Sequence, residues 1–237
     1  MAPVMRDRFT SRGQAVARFI AQRGILKSVV WRVVRVSVIG KQNLRGVKRP
    51  FVAVANHSSH LDAPLIMGSL PRPLARYLAA GAAGDYFFDV WWRRGLTALF
   101  FNAFPVDRSG SNPRNVSAKA LLQHDVPVLV FPEGTRSKTG EIGHFKPGAA
   151  ALSAATGAPV LPIAIVGAYQ SHPRGSKWPK KGRLPVAVVF GAPMRAEEGE
   201  TPQQFSARIR EQVIALHSEH APHILGQTTS TDPKEQQ

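Results

Sequence analysis

Two short, wholly apolar runs, 51–55 (FVAVA) and 127–131 (PVLVF), constrain this chain most. Unbroken apolar runs of this length, without polar alternation, belong to strands buried on both faces, as in parallel sheets covered by helices. Each run gives way at once to a polar loop. The first ends in Asn56-His57-Ser58-Ser59-His60-Leu61-Asp62, the second in Pro132-Glu133-Gly134-Thr135-Arg136-Ser137. Open α/β sheets carry their sites in the loops that follow the carboxyl ends of strands. The expected fold is therefore α/β: a single domain with a mixed, mostly parallel sheet flanked by helices and a site at the strand ends.

The rest of the chain supports that reading. Runs 33–40, 159–166 and 184–190 read as further strands, and 63–70, 115–124, 147–156 and 201–220 as helices. The last is the clearest. Thr201 is a good N-cap, Pro202 suits the first turn, Gln204 completes a capping box, and Phe205, Ile209, Val213 and Leu216 form one apolar face. A length of 237 residues, 43% of them hydrophobic, fits one domain with a sizeable core. We expect three parts: an N-terminal arm over 1–35, a core domain over 36–224, and a polar, disordered tail over 225–237.

Charge is concentrated in the arm. The chain carries 31 Lys and Arg against 15 Asp and Glu, a formal net charge of +16. Residues 1–50 hold twelve of the cations and a single acid, Asp7, so +11 of the +16 lies there. No secretory-type apolar core follows the first residues, and no run of 18 apolar residues exists. In the arm, Val16, Phe19 and Ile20 share a helical face, with Arg12, Arg18 and Arg23 placed for its rim. That pattern suits an amphipathic segment lying on an anionic membrane surface. A nucleic-acid partner is not expected. The aromatic residues cluster over 86–104, where only Arg93 and Arg94 are basic, so no basic face is interleaved with aromatics. The absence of cysteine excludes disulfides, thiolate-bound metal and a cysteine nucleophile.

The first polar loop holds the most chemistry. If His57 precedes a helical turn, Asp62 can fold back to its Nδ1, fixing the tautomer and leaving Nε2 to accept a proton. No enzyme serine is needed when the nucleophile is a substrate hydroxyl. A metal site built on His57, His60 and Asp62 is a weak competitor, because the other histidines show no matching cluster. In the second loop, Gly134 permits close backbone approach and Arg136 can grip a phosphate with two donors. Asp107-Arg108 supplies another arginine after an apolar run.

Taken together, these segments resemble the glycerolipid acyltransferases that make phosphatidic acid from lysophosphatidic acid. Four blocks carry the likeness: Asn56-His57-x4-Asp62; Phe104-Pro105-Val106-Asp107-Arg108; the run from Phe131 to Ser137; and Ala158-Pro159-Val160-Leu161-Pro162-Ile163. The resemblance implies a membrane-associated O-acyltransferase of that fold, with His57 as general base and Asp62 orienting it. It implies that Arg108 and Arg136 hold the acceptor's phosphate, with Glu133, Gly134 and Thr135 shaping that site. The fourth block would help form the donor site, and the aromatic stretch 86–104 would line an acyl groove or meet the membrane. The implied partners are acyl-CoA or acyl-carrier protein as donor and a lysophospholipid as acceptor, at the cytoplasmic face of the membrane, with no cofactor and no metal. Family members often carry a lysine before the aromatic stretch, where this chain has only Arg76. A different lipid or glycolipid acceptor is therefore the alternative.

Overall fold

The computed structural model describes residues 9–83, 100–106 and 117–226. Two helices, α1 (Arg12–Ile20) and α2 (Lys27–Val33), are joined by a π-helical turn, Ala21–Leu26. There follow β1 (Arg35–Ile39), β2 (Val52–Ala55), α3 (Asp62–Ser69), the short α4 (Arg72–Ala75), β3 (Ala79–Ala83) and β4 (Phe104–Val106). The chain continues through α5 (Ala118–Gln123), β5 (Val128–Val130), α6 (Gly148–Thr156), β6 (Val160–Val166), α7 (Ala168–Ser171), β7 (Pro185–Phe190) and α8 (Pro202–Gly226).

The seven strands form one sheet in the order β1-β7-β6-β2-β5-β3-β4. Only the β6–β7 pairing is antiparallel. All others are parallel, as the apolar runs require. The period-2 geometry of strands sends alternate residues to opposite faces. Accordingly Ala53, Ala55, Leu129, Leu161 and Ile163 enter one core with α2 and α3. Val52, Val54, Val128, Val160 and Ala164 enter a second core with α5, α6 and α8. Every residue of β2, β6 and β7 is buried.

The expected helices and strands are present, with bounds shifted by a few residues. At α8 the capping box forms: the Thr201 N–H donates to Gln204 Oε1 at 2.9 Å, and the Gln204 N–H donates to Thr201 Oγ1 at 3.3 Å. The helix runs past His220 to Gly226 and includes Pro222. Strands β3 and β4 were not expected. β3 has the sequence AAGAA, which carries no β-branched signal, and it forms because β5 and β4 flank it with paired backbone groups.

The arm packs differently from a helix with its charges at the rim. Arg18 and Gln22 are buried, whereas Ile20 is 63% exposed and Ile25 60%. The Gln22 amide donates to the Phe100 carbonyl at 2.6 Å. Arg23 donates to the Gly68 carbonyl at 2.8 Å and also to that of Leu70, so it ties the arm to the end of α3. The buried side of the arm thus holds Arg18 and Gln22 together with Ala15 and Val30, and Val16, Ile20, Ile25 and Val29 face outward. Among the described residues no helix is long and apolar enough to cross a membrane.

Candidate active site

The pairing of β2 with β5 sets Val54 beside Val130, so the two polar loops leave the sheet side by side at its carboxyl end. Asn56 turns the first loop. Its side chain is buried and mimics one more residue of the ladder: Nδ2 donates to the Ile165 carbonyl at 3.0 Å, and Oδ1 accepts from the Ile165 N–H at 2.8 Å. His57 comes next and stacks on Phe131 from the second loop, with ring centroids 4.1 Å apart and planes 19° apart.

Asp62 is the first residue of α3 and is fully buried. One oxygen, Oδ2, collects three partners: His57 Nδ1 at 2.8 Å, the Ser58 N–H at 2.7 Å and the Ser59 N–H at 2.8 Å. With two peptide N–H groups donating to it, Oδ2 faces His57 as an acceptor, as a carboxylate oxygen does. A carboxylate in turn requires the imidazole proton on Nδ1, which leaves the lone pair on Nε2. The His57 side chain is 22% exposed while that of Asp62 is 0% exposed. The pair therefore offers an oriented base at a solvent-reachable edge, held by a carboxylate that solvent does not reach.

Glu133 clamps this loop from the other side. Its Oε1 accepts the His57 N–H at 2.7 Å and its Oε2 accepts the Gly143 N–H at 3.1 Å. The Ser137 N–H donates to the His57 carbonyl at 2.7 Å, so both sides of the His57 backbone are held by the second loop. Burial raises the Glu133 carboxyl above its ordinary value, with the two N–H donors acting against that shift. Gly134 has φ +75°, and a Cβ there would lie 3.3 Å from Lys146 Nζ. The absent side chain thus lets an ammonium close on the turn that precedes Arg136. Partial burial, then the charges of Arg136, His172 and His57, push His60 down to about 4. His60 is therefore neutral near pH 7, and Arg136 lies close enough to influence it.

The structure brings His57, Asp62, Glu133, Gly134, Thr135 and Arg136 to one end of the sheet. Arg108 and the aromatic residues 86–92 lie outside the described residues. Arg76 does not join the site. It precedes β3, which runs parallel to β5, so it sits at the opposite end of the sheet, with its guanidinium 4.9 Å from the Tyr77 ring centroid. Among the described residues no group of three or more His, Asp or Glu is placed to hold a metal ion.

Two residues joined the site without a sequence signal. His172 is buried, and its carbonyl accepts from Ser59 Oγ at 2.8 Å. Arg174 donates to Thr135 Oγ1 at 3.3 Å and to the Arg136 carbonyl at 3.1 Å. Both follow β6, more than 35 residues beyond the loops they brace, and no local spacing could have revealed them.

Comparison with known proteins agrees with the geometry. The family model for acyltransferases matches residues 35–166. A 1-acyl-sn-glycerol-3-phosphate acyltransferase of Chlamydomonas reinhardtii is 30% identical over 205 residues, covering 85% of this chain and 58% of the relative. The mouse enzyme named 1-acyl-sn-glycerol-3-phosphate acyltransferase alpha is 32% identical, covering 81% and 67% respectively. The enzyme of that activity from Pseudomonas aeruginosa is 32% identical, covering 78% and 70%. The crystal structure of the 1-acyl-sn-glycerophosphate acyltransferase PlsC from Thermotoga maritima superposes with a TM-score of 0.68 at 27% identity, over 91% of this chain and 86% of that one.

Proposed function

The chain belongs to the acyltransferase family, and from that premise we propose that it moves an acyl group from a thioester donor to the free hydroxyl of lysophosphatidic acid, forming phosphatidic acid. The observation that carries this reading is the His57 Nδ1–Asp62 Oδ2 contact of 2.8 Å, beside a turn that ends in Arg136. The donor is acyl-CoA or acyl-carrier protein. His57 Nε2 takes the proton of the acceptor hydroxyl as its oxygen attacks the thioester carbonyl. The C–O bond forms, the C–S bond breaks, and the imidazolium returns its proton to the leaving thiolate. Asp62 keeps the imidazole in the correct tautomer and stabilises the transient positive charge. A thioester is already activated, so no cofactor and no covalent enzyme intermediate are required. Arg136 and Arg108 hold the acceptor's phosphate, and Glu133 keeps the base loop in register.

Membrane association on the cytoplasmic face is part of the same proposal. Val16, Ile20, Ile25 and Val29 are between 37% and 63% exposed. They recur at spacings of four, five and four, and the spacing of five falls where the helix is a π-turn, which keeps the row on one face. An outward apolar row on a basic arm supports peripheral binding to anionic lipid.

The deciding experiment is an acceptor screen with the purified full-length protein and labelled acyl-CoA, with products read by mass. Phosphatidic acid from lysophosphatidic acid is the expected product. Acylation of another lipid or a glycolipid alone would replace the acceptor, an outcome favoured by the distance of Arg76 from the site.

A further inference from the structure

The segment between β6 and β7 lies on the rim of the site. β6 is parallel to β2, so Val166 and Ala55 end on the same side of the sheet. β7 is antiparallel to β6 and therefore starts on that side. Residues 167–184 bridge the two and contain no Asp or Glu. They contain five cations: Arg174, Lys177, Lys180, Lys181 and Arg183. In their midst Trp178 is 82% exposed, more than any other large apolar side chain among the described residues.

This segment is held in place. The Lys180 N–H donates to the Ser171 carbonyl at 2.8 Å and the Ser176 N–H to the Pro173 carbonyl at 3.2 Å. Arg174 fastens one end to the turn at Thr135 and Arg136. Arg183 fastens the other end to the arm, donating to the Trp31 carbonyl at 2.9 Å. The exposed tryptophan thus lies in sequence between two anchors, Arg174 at the turn of the site and Arg183 at the arm.

We propose that this loop is a second lipid-binding surface, separate from the arm, in which Trp178 inserts at the headgroup level of an anionic membrane while Lys177, Lys180 and Lys181 meet its negative charge. Tryptophan favours the interface because its ring is apolar and its N–H is polar. Cations near an anionic leaflet add attraction that one weak anchor needs from a second signal. A single exposed aromatic offers no series of stacking platforms for a nucleic acid. Seated this way, the loop presents the His57 end of the sheet to the membrane.

The test uses the full-length protein and vesicles of phosphatidylcholine, with and without phosphatidylserine, in cosedimentation. Replacing Lys177, Lys180 and Lys181 together by Gln is expected to weaken binding to the phosphatidylserine vesicles by roughly 100-fold, and to spare binding to phosphatidylcholine. Trp178→Ala is expected to weaken binding to both by about tenfold. An unchanged melting midpoint in both variants shows that the fold is kept, and thiol release with a water-soluble short-chain acceptor should stay near wild type. Wild-type binding of the triple variant to phosphatidylserine vesicles overturns the proposal. So does loss of binding to acyl-carrier protein or to RNA with vesicle binding intact, which would assign the loop to those partners. The vesicle assay contains no acyl donor, so its failure leaves the proposed acyl transfer standing.

Discussion

Replacing Asp62 by Asn isolates what its charge does. Oδ2 has three donors around it, and two of them are the fixed peptide N–H groups of Ser58 and Ser59. An amide at this position must turn its carbonyl oxygen toward those two, so its NH2 falls where Oδ1 was. Oδ1 has no hydrogen-bond partner among the described residues. The His57 Nδ1–H therefore keeps its acceptor and its tautomer, the negative charge is lost, and the buried NH2, with no acceptor at that position, costs about 1–3 kcal/mol of stability. Opposite charges with centres about 4 Å apart interact by about 4 kcal/mol at an effective dielectric of 20. That term acts when His57 becomes an imidazolium, and the 22% exposure of the His57 side chain trims it. Turnover should fall by about 10² to 10³-fold, at about 1.4 kcal/mol per decade. Thiol release from acyl-CoA, followed as a function of acceptor concentration, separates kcat from KM. We expect the loss in kcat with the acceptor KM nearly constant. Asp62→Ala should lose stability as well, because two buried N–H groups lose their acceptor at about 1–3 kcal/mol each. An Asn variant within tenfold of wild type, or one altered only in KM, would refute the role given to this carboxylate.

Three further outcomes follow from the same geometry. Burial raises the Glu133 carboxyl in the folded state, so the stability it contributes is full below its ordinary value near 4.5 and is lost as pH rises through the folded-state value. In Glu133→Gln that decline should vanish, and the melting midpoint relative to wild type should rise with pH over this window. Asn56→Ala removes both partners of the Ile165 peptide inside the core, and a urea titration should show a loss of about 2–4 kcal/mol. Gly134→Ala forces an alanine into the left-handed region, at about 1–2 kcal/mol, and pushes against the Lys146 ammonium; stability should drop by that amount and the acceptor KM should rise, both measurable on one preparation.

Much of this architecture was legible because its signals are local. The runs 51–55 and 127–131 announced buried parallel strands, since a strand covered on both faces has no position left for a polar residue. Thr201 and Gln204 announced the start of α8, because a capping box satisfies donors within four residues of one another. His57 and Asp62 were legible as a pair, because a five-residue interval lets a helix-initiating carboxylate fold back on the preceding turn. β3 was not legible: its alanines and glycine carry no strand preference, and only the neighbouring backbones of β5 and β4 make it one.

The sequence by itself determined the fold class and the pairing of His57 with Asp62, because both rest on signals confined to a few neighbouring residues. Tertiary structure alone decided how those loops are locked together. Glu133 grips the His57 peptide across 76 residues and Arg174 braces Thr135 across 39. Tertiary structure also set how the arm docks, burying Arg18 and Gln22 beside Ala15 and leaving Ile20 and Ile25 outside. Helical periodicity defines two faces but not which of them meets the domain. That choice was made by acceptors on distant segments, the carbonyls of Arg76 and Phe100, which gave Arg18 and Gln22 partners they could reach only in the folded chain.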